Sequence, residues 1–268
     1  MRFLASRFAT LIFSTSIGIH YLLAQQVMLR YLYHPGEAIA YKTVTRISQT
    51  GEFIRDAVIT IEDVTRYTIQ KVHDDSSADI TMTIESVDAR FFKEKFYSNM
   101  DELKGVPILI RRASSGKYVD VKPAEDVSSR KRKIIDGIRV NFEFEGGFPD
   151  RPLALGETWE SSAGWSFDME ETRFDLQLKR SLKFVGFQDF AGVKCAVISM
   201  RIDVGGTVTT PFEEVPIKGS GRGTLFFDFG QGKVMQQATE YEGVATISHK
   251  KGPMNLRTKN VTRSEIVR

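Results

Sequence analysis

The residue types that most often carry out chemistry are few in this chain and poorly spaced for it. Beyond the N-terminal segment the histidines are His34, His73 and His249, and their spacing is not that of metal ligands. We interpret them as surface or turn residues. Cys195 lies in an alternating apolar run, which predicts a small buried hydrophobic residue rather than a nucleophile. These residues predict no metal site, no cofactor and no catalytic centre.

Acidic residues form three groups that could bind a cation or catalyse hydrolysis. They are three aspartates in one turn and two adjacent glutamate pairs: Asp74, Asp75, Asp79, Glu170-Glu171 and Glu213-Glu214. The aspartates lack the ligand spacing of a calcium-binding loop, so we expect a solvated turn rather than a weak cation site. A catalytic pair needs two carboxyl groups at a fixed separation across a cleft, which adjacency along the chain does not provide. Both glutamate pairs are therefore expected to be surface charge.

The glycine-rich run from Gly219 to Gly223 has the composition of a phosphate-binding loop. That chemistry requires backbone N–H groups directed at an anion, with a helix N-terminus behind them. Here the run continues into a strand-like segment, Thr224 to Phe229. A bend or bulge within a long strand is therefore the better interpretation.

The N-terminus has the pattern of a secretory signal. Arg2 and Arg7 precede an uncharged, mostly apolar run from Phe8 to Ala24. At roughly 17 residues this run is at the lower limit for crossing a bilayer. We predict cleavage after Ala24, with an uncleaved anchor as the alternative. A single cysteine cannot form an internal disulfide. A secreted chain of this size without disulfides is more typical of a bacterial periplasm or the cell exterior, which is therefore the predicted compartment.

The net charge argues against nucleic acid as a partner. The chain carries +3, and removing residues 1–24 takes away two arginines and no acids, which leaves +1. A nucleic-acid-binding domain is normally far more basic. Membrane contact is expected only through an uncleaved signal or through the basic run Arg130 to Lys133.

Past the signal, hydrophobicity alternates with the two-residue period of β-strands. The run from Ala57 to Ile61 alternates in this way, and so does a longer run from Ala196 to Val204. Short polar turns join such runs, so neighbouring strands should pair antiparallel. The predicted fold class is all-β, mainly antiparallel, in long curved sheets.

One connecting amphipathic helix is predicted near residues 123–141. Pro123 precedes it, as is common at a helix start. Its apolar residues could share one face: Val127, Ile134, Ile135 and Ile138. The helix would then cover the sheet while the charges of Arg130 to Lys133 face water.

Two pairs of landmarks indicate an internal duplication. The dipeptides Gly36-Glu37 and Gly156-Glu157 are 120 residues apart, and Gly116-Lys117 and Gly232-Lys233 are 116 residues apart. Nearly equal offsets are what a duplicated unit would produce. Their apolar faces are then expected to cover each other, since neither unit has a second layer of its own.

Two prolines, Pro149 and Pro152, form a stiff connector between the landmarks. The predicted organisation has three parts: a signal peptide over 1–24, a first β unit with the helix over 25–147, and a second β unit over 148–268.

Three segments resemble uncharacterised secreted all-β families of bacteria. They are Leu155-Gly156-Glu157-Thr158-Trp159, the Gly-rich strand from Gly219 to Asp228, and Gly232-Lys233. Such families carry a Leu-Gly-(Asp/Glu)-x-Trp segment and a later Gly-rich strand ending in Gly-Lys, and they imply no catalytic residues. The resemblance spans about residues 30–265 and is sharpest over 150–235. More remotely, the pattern of long strands and one helix is similar to the half-barrel of periplasmic lipoprotein carriers, which implies a fold and no function.

Three classes of function remain open. The first is a non-enzymatic periplasmic or secreted protein that binds an apolar small molecule or lipid against a curved sheet. The second is a structural or interaction protein of the cell envelope with a protein partner. The third, a hydrolase or isomerase on a β scaffold, lacks a recognisable nucleophile, base or metal set. The first class predicts a groove lined by alternating residues of the second unit: Ile198, Met200, Ile202, Leu225 and Phe227.

Overall fold

Most of the described chain is β-strand. The computed structural model describes residues 26–51, 54–143, 147–169, 172–211, 213–247 and 254–267. Strands account for 70% and helices for 6%, which confirms the predicted all-β, mainly antiparallel class. The predicted signal peptide, His249 and the pair Glu170-Glu171 lie outside the described residues.

Within the described ranges, fourteen strands and two helical segments follow one another. The elements before the connector are β1 (Gln26–Val27), β2 (Ala38–Gly51), β3 (Ile54–Val72), β4 (Ala78–Phe91), β5 (Glu94–Lys95), a 3-10 helix (Asn99–Leu103), β6 (Ile108–Arg112), β7 (Tyr118–Pro123) and α1 (Ser129–Glu143). After the connector come β8 (Leu153–Ala154), β9 (Thr158–Met169), β10 (Thr172–Phe190), β11 (Val193–Thr209), β12 (Glu214–Asp228), β13 (Lys233–Ile247) and β14 (Met254–Val267).

A single antiparallel sheet contains every strand except β1 and β8. Its order is β7-β6-β4-β3-β2-β14-β13-β12-β11-β10-β9, with β5 paired to β4. The expectation that two sheets cover each other is wrong, because β14 pairs with β13 on one side and with β2 on the other. A 14-residue strand left at an edge would expose a row of unpaired N–H and C=O groups, and pairing with β2 removes that edge.

The alternation within β4 shows how sequence pattern becomes sheet geometry. Alternate residues from Ala78 to Ile84 are buried, and burial resumes after a shift of phase at Val87 and Ala89. The shift coincides with a bulge: Val64 is opposite Ser86 and Thr65 is opposite Ile84, so Glu85 has no residue opposite it on β3. The extra residue keeps the later apolar residues on the same face as the earlier ones.

Two hydrophobic cores lie along the sheet. The first core belongs to the first half and includes Ile80, Ile84, Leu103, Ile108, Ile110 and Ile135. The second core belongs to the second half and includes Leu29, Leu153, Phe184, Ile198, Leu225 and Phe227.

Residues 26–35, which we call the strap, supply a second layer over both cores. Val27 and Leu29 are buried in the second core, and Tyr33 packs against the first. Two hydrogen bonds hold the strap to the turn between β6 and β7: the Tyr31 N–H donates to the Ser114 carbonyl at 2.7 Å, and the Tyr33 hydroxyl donates to the Ala113 carbonyl at 3.0 Å. The strap therefore runs across the face that carries both cores.

Both Gly-Lys turns touch the strap. A Cβ on Gly116 would lie 2.5 Å from the Tyr31 ring, and a Cβ on Gly232 would lie 2.1 Å from the Leu32 nitrogen. Both glycines have positive φ, +93° and +63°. Each turn thus needs glycine for its backbone conformation and for the close approach of the strap.

The helix α1 begins later than predicted. The Ser128 carbonyl accepts a bond from the Arg132 N–H at 3.0 Å, so Ser128 opens the first turn, while Pro123 still belongs to β7. Ile135 is buried in the first core, and Val127 and Ile134 pack against it. The side chain of Ile138 lies outside the described part of the structure. The helix covers the first core, as its apolar positions predicted.

The two Gly-Glu dipeptides adopt matching backbone geometry. Gly36 and Gly156 have φ of +81° and +82°, and each donates its N–H at 2.8 Å to a long strand, to the Ile69 and Phe184 carbonyls respectively. Those two residues return a bond to the carbonyls of the dipeptide glutamates at 2.8 and 3.0 Å. In both strands a bulge follows at once, between Ile69 and Lys71 and between Phe184 and Gly186.

Candidate functional site

A pocket of about 310 Å³ lies between the strap and the inner face of the sheet, mainly over its first half. Strands β4, β3, β2, β14 and β13 are consecutive in the sheet and all contribute side chains to it. On β3 its floor runs from Asp63 to Ile69, a length of roughly 20 Å at the usual rise per residue. The pocket is therefore elongated along the strands.

Apolar side chains line the pocket at the end where the first core lies. They come from β2, β3, β4 and the 3-10 helix: Ile39, Ile69, Ile80, Met82, Ile84 and Met100. Strand alternation directs the β4 side chains to this face. The strap closes the pocket with Leu32, which is 43% exposed and so lies where the pocket meets solvent.

Five tyrosines add aromatic surface to the walls: Tyr31, Tyr33, Tyr41, Tyr67 and Tyr118. The rings of Tyr41 and Tyr67 meet edge to face, with centroids 5.9 Å apart. The Tyr41 hydroxyl donates to the Val234 carbonyl of β13 at 3.1 Å, so the Tyr41 ring lies over β14, the strand between β2 and β13. Tyr41 is therefore positioned both by the Tyr67 ring and by a backbone acceptor.

The opposite end of the floor is polar. One row of cross-strand partners reads Asp63 on β3, Thr43 on β2, Ser264 on β14 and Gln237 on β13, and all four line the pocket. The Thr43 hydroxyl donates to Ser264 Oγ at 3.1 Å. The pocket thus has an apolar end and a hydrogen-bonding end.

Asp63 is the ionisable group of that polar row. Burial raises the pKa of its carboxyl, a hydrogen bond from the Thr65 hydroxyl at 3.0 Å partly opposes this, and the nearby Glu62 charge raises the pKa further. Among the residues that the structure describes, no lysine, arginine or histidine forms an ion pair with it. Asp63 is half-buried, and a carboxylate that is partly desolvated without a cation is unfavourable and is a common mark of a functional site.

Two cations also line the pocket, and both have other contacts. Lys233 forms a short, half-buried ion pair with Glu37, so the second Gly-Lys turn contacts the first Gly-Glu dipeptide. Arg112 stacks over the Tyr31 ring at 3.9 Å and donates from Nε to the Gly116 carbonyl at 2.9 Å.

The five residues predicted to line a groove lie elsewhere. The structure places Ile198, Met200, Ile202, Leu225 and Phe227 on the inner face of β11 and β12, all buried. Phe227 packs against Tyr31 of the strap at a ring distance of 5.2 Å and against Phe148 at 4.8 Å. Only a gap of about 30 Å³ remains beside Met200 and Leu225. The strap therefore occupies the space that the groove required, and ligand binding at these five residues stays a prediction.

The aspartates and the cysteine that the sequence raised as candidates have structural roles. Asp75 accepts bonds from the backbone and hydroxyl of Ser77, which lowers its pKa, and Asp79 bonds to His73 at 2.9 Å. No group of three or more potential metal ligands occurs within the described ranges. Cys195 is fully buried, and its pKa is raised mainly by that burial.

The Gly-rich run is part of a strand. Gly219 to Gly223 belong to β12, which pairs on both sides. The Tyr241 side chain of β13 lies against Gly219, where a Cβ would meet its hydroxyl at 2.0 Å. The glycines leave room for neighbouring side chains rather than for an anion.

Sequence reasoning missed the polar row, although one signal for it was present. Asp63 occupies an inward position of the alternation that contains Ile61, Thr65, Tyr67 and Ile69. An acid at such a position on a half-buried strand is unusual, because carboxylates are rarely buried without a partner. A search for acids that interrupt an apolar face would have found it.

No family model matches the chain, and no curated protein is significantly similar to it in sequence. Among solved structures, lipovitellin is matched with a TM-score of 0.45 and 11% identity, over 86% of this chain and only 25% of the lipovitellin chain. An exported protein with a YmcC-like fold from Bacteroides fragilis is matched with a TM-score of 0.31 and 11% identity, over 89% of this chain and 97% of that one.

The hypothetical lipoprotein YmcC from Escherichia coli (K12) is matched with a TM-score of 0.26 and 9% identity, over 81% of this chain and 85% of that one. In the part of the chain that is described, no helix combines the length and apolar character needed to cross a membrane.

Proposed function

We propose that this protein is a non-enzymatic binding protein that holds an apolar small molecule or a lipid chain in the pocket under the strap. The observation that carries the proposal is the unfilled space of about 310 Å³ at the first core, lined by isoleucine, methionine and tyrosine side chains. Concave, mostly apolar pockets with a few placed polar groups are the usual form of small-molecule sites. Its elongated floor suits a chain-like ligand.

The test uses a neutral dye, N-phenyl-1-naphthylamine, whose fluorescence rises in an apolar site. The wild type should bind the dye, and dodecanol should displace it. Ile39→Phe would fill part of the pocket and should weaken binding about tenfold, because an overpacked site loses room for the ligand. The matched control is Val44→Phe on the opposite face of β2, where dye binding should not change. Absence of dye binding by the wild type, or equal loss in both variants, would refute the proposal.

We further propose that the protein works in a bacterial periplasm or outside the cell, after cleavage following Ala24. The support is the sequence pattern of residues 1–24. N-terminal sequencing of exported protein should return Gln25, and recovery of Met1 would instead indicate an anchored form. Native mass spectrometry of the same preparation should show a bound lipid or other apolar molecule.

A second candidate function is an interaction protein of the envelope. The observation that favours it is an exposed aromatic hairpin at the end of β4, where Phe91, Phe92 and Tyr97 are 45%, 52% and 71% exposed. Exposed aromatic clusters are typical of protein contact surfaces. If this function holds, a protein should co-purify with the wild type and should be lost from Phe91→Ser/Phe92→Ser. If the same protein co-purifies with both, the hairpin is not its binding surface.

We propose that the two halves are duplicated units. The support is the matched φ values, the matched hydrogen bonds of the Gly-Glu dipeptides and the matched bulges described above. The strand orders β7-β6-β4-β3-β2 and β13-β12-β11-β10-β9 also run in the same sense, with β14 between them. The equivalence predicts that Gly36→Ala and Gly156→Ala destabilise equally, by about 1–2 kcal/mol, since a Cβ at either would meet nothing within 4 Å. A difference well above 1 kcal/mol in urea unfolding would contradict it.

A further inference from the structure

Among the described residues, no lysine, arginine or histidine pairs with the carboxyl of Asp63, which accepts a hydrogen bond from the Thr65 hydroxyl. Its direct cross-strand partners are Thr43 on β2 and Val87 on β4, neither of which titrates. Glu62 precedes it on β3, where alternation directs the side chain to the other face, and it pairs there with Lys42 at 2.6 Å. A carboxylate in such a position lacks the partner that would offset its desolvation.

The two cations of the pocket do not supply that partner. Lys233 is paired with Glu37, and both side chains are mostly buried. Arg112 lies over the Tyr31 ring and donates to the Gly116 carbonyl, and neither Arg112 nor Lys233 is among the groups that shift the pKa of the Asp63 carboxyl.

Aromatic and polar groups surround the carboxyl in a way that suits a cation. Tyr41 is opposite Thr65 on the neighbouring strand, so it is the diagonal neighbour of Asp63. Its ring meets Tyr67 edge to face. Aromatic faces attract ammonium groups, and quaternary ammonium ligands are commonly bound between such rings and an acid. Thr43, Ser264 and Gln237 extend the row with hydrogen-bonding groups.

We propose that the ligand of this pocket is an amphiphile with an ammonium head, which pairs with Asp63 while its apolar chain lies along the floor toward Ile69. This inference rests on the proposed binding function and names its ligand class. The ligand's cation would replace the missing partner of the carboxylate, and the tyrosine rings would contact the same cation.

The test compares four probes of equal chain length: octylamine, octyltrimethylammonium, octanol and octanoate. Their affinities for the exported protein at pH 7 are measured by titration calorimetry below the concentrations at which they aggregate. Both ammonium probes should bind about tenfold or more tightly than octanol, because they add a charge pair with Asp63 to the same apolar contacts. Octanoate should bind most weakly, since it brings a second carboxylate to Asp63.

Two isosteric variants separate the local charge from general electrostatics. Asp63→Asn should abolish the preference for the ammonium probes over octanol. Glu62→Gln removes a charge from the next residue on the opposite face and should keep the preference. Lowering the pH toward 4 should reduce the preference in the wild type, because Asp63 takes up a proton, and should have no such effect in Asp63→Asn.

The outcomes are distinct. If octanol and the ammonium probes bind equally, or if the preference survives Asp63→Asn, the ammonium assignment is overturned while the apolar pocket stands. If octanoate binds best, Asp63 acts as a neutral hydrogen-bond donor to an acid, and the assignment is again overturned. If none of the probes binds, the binding function itself fails.

Discussion

Replacing Gly232 by alanine tests whether the strap is held in place by the turn between β12 and β13. Gly232 has φ of +63°, and its Cα faces the strap backbone. An added Cβ would lie 2.1 Å from the Leu32 nitrogen and 2.7 Å from the Arg30 carbonyl oxygen. Because both contacts are to backbone, a side-chain rotation cannot relieve them, and the strap or the turn has to move.

The expected destabilisation has two parts. An alanine in the left-handed region costs about 1–2 kcal/mol relative to glycine. Overpacking against the strap adds about 1–3 kcal/mol, the usual cost of a group with no room. Gly192→Ala is the matched control, because Gly192 has φ of +80° and a Cβ there would meet nothing within 4 Å. The difference between the two variants therefore isolates the contact with the strap, about 1–3 kcal/mol.

Urea unfolding followed by tryptophan fluorescence measures both variants, since Trp159 is buried in the second core. Dye binding should weaken in Gly232→Ala and not in Gly192→Ala, because Leu32 and Gly232 both line the pocket. If the two variants lose equal stability, within about 0.5 kcal/mol, the strap is not held at this turn. The argument for a pocket wall formed by the strap would then be refuted.

Three further predictions concern single residues. In urea unfolding, Asp63→Asn should stabilise the protein at pH 7 and have little effect near pH 3. The pKa of Asp63 is raised in the folded state, so the stability that Asp63 contributes is present below its unfolded-state pKa and is lost as the pH rises through its folded-state pKa. A less stable variant at pH 7 would contradict this. Phe227→Ala should cost about 3–5 kcal/mol, as a fully buried ring is lost, and a cost below 1 kcal/mol would be inconsistent with its packing. Cys195 should resist thiol reagents until the protein unfolds, so rapid labelling in native buffer would argue against its burial.

The strands and their turns were predictable because they depend on local pattern. The alternation from Ala196 to Val204 lies within β11, and the helix predicted near 123–141 is present as α1. Local pattern also explains the error at the start of the helix. Pro123 is compatible with a helix start and with the end of an edge strand, and pairing with Ile108 decides for the strand.

The candidate site depended on long-range contacts, so the sequence did not reveal it. Nothing in β14 itself indicates that it pairs with β2, more than 200 residues away. In the strap, Val27, Leu29, Tyr31 and Tyr33 face the cores, but Met28 and Leu32 on the other face obscure this alternation in the sequence. The role of the strap follows from its contacts with Ser114 and Gly232. Alternation identified Ile198 and Phe227 correctly as inward residues, but it could not show that the strap covers them.

The proposed duplication explains why the pocket lies in the first half. Matched bonds and bulges make Ile69 and Ile80 the counterparts of Phe184 and Ile198. In the described residues one strap, residues 26–35, covers both proposed units. Its first residues, with the connector residue Phe148, fill the second core down to a gap of about 30 Å³. In the first half only the C-terminal part of the strap, with Tyr33, packs against the core, and the space beside Asp63 stays open. The proposed duplication, with one strap over both units, thus accounts for one filled core and one core with room for a ligand.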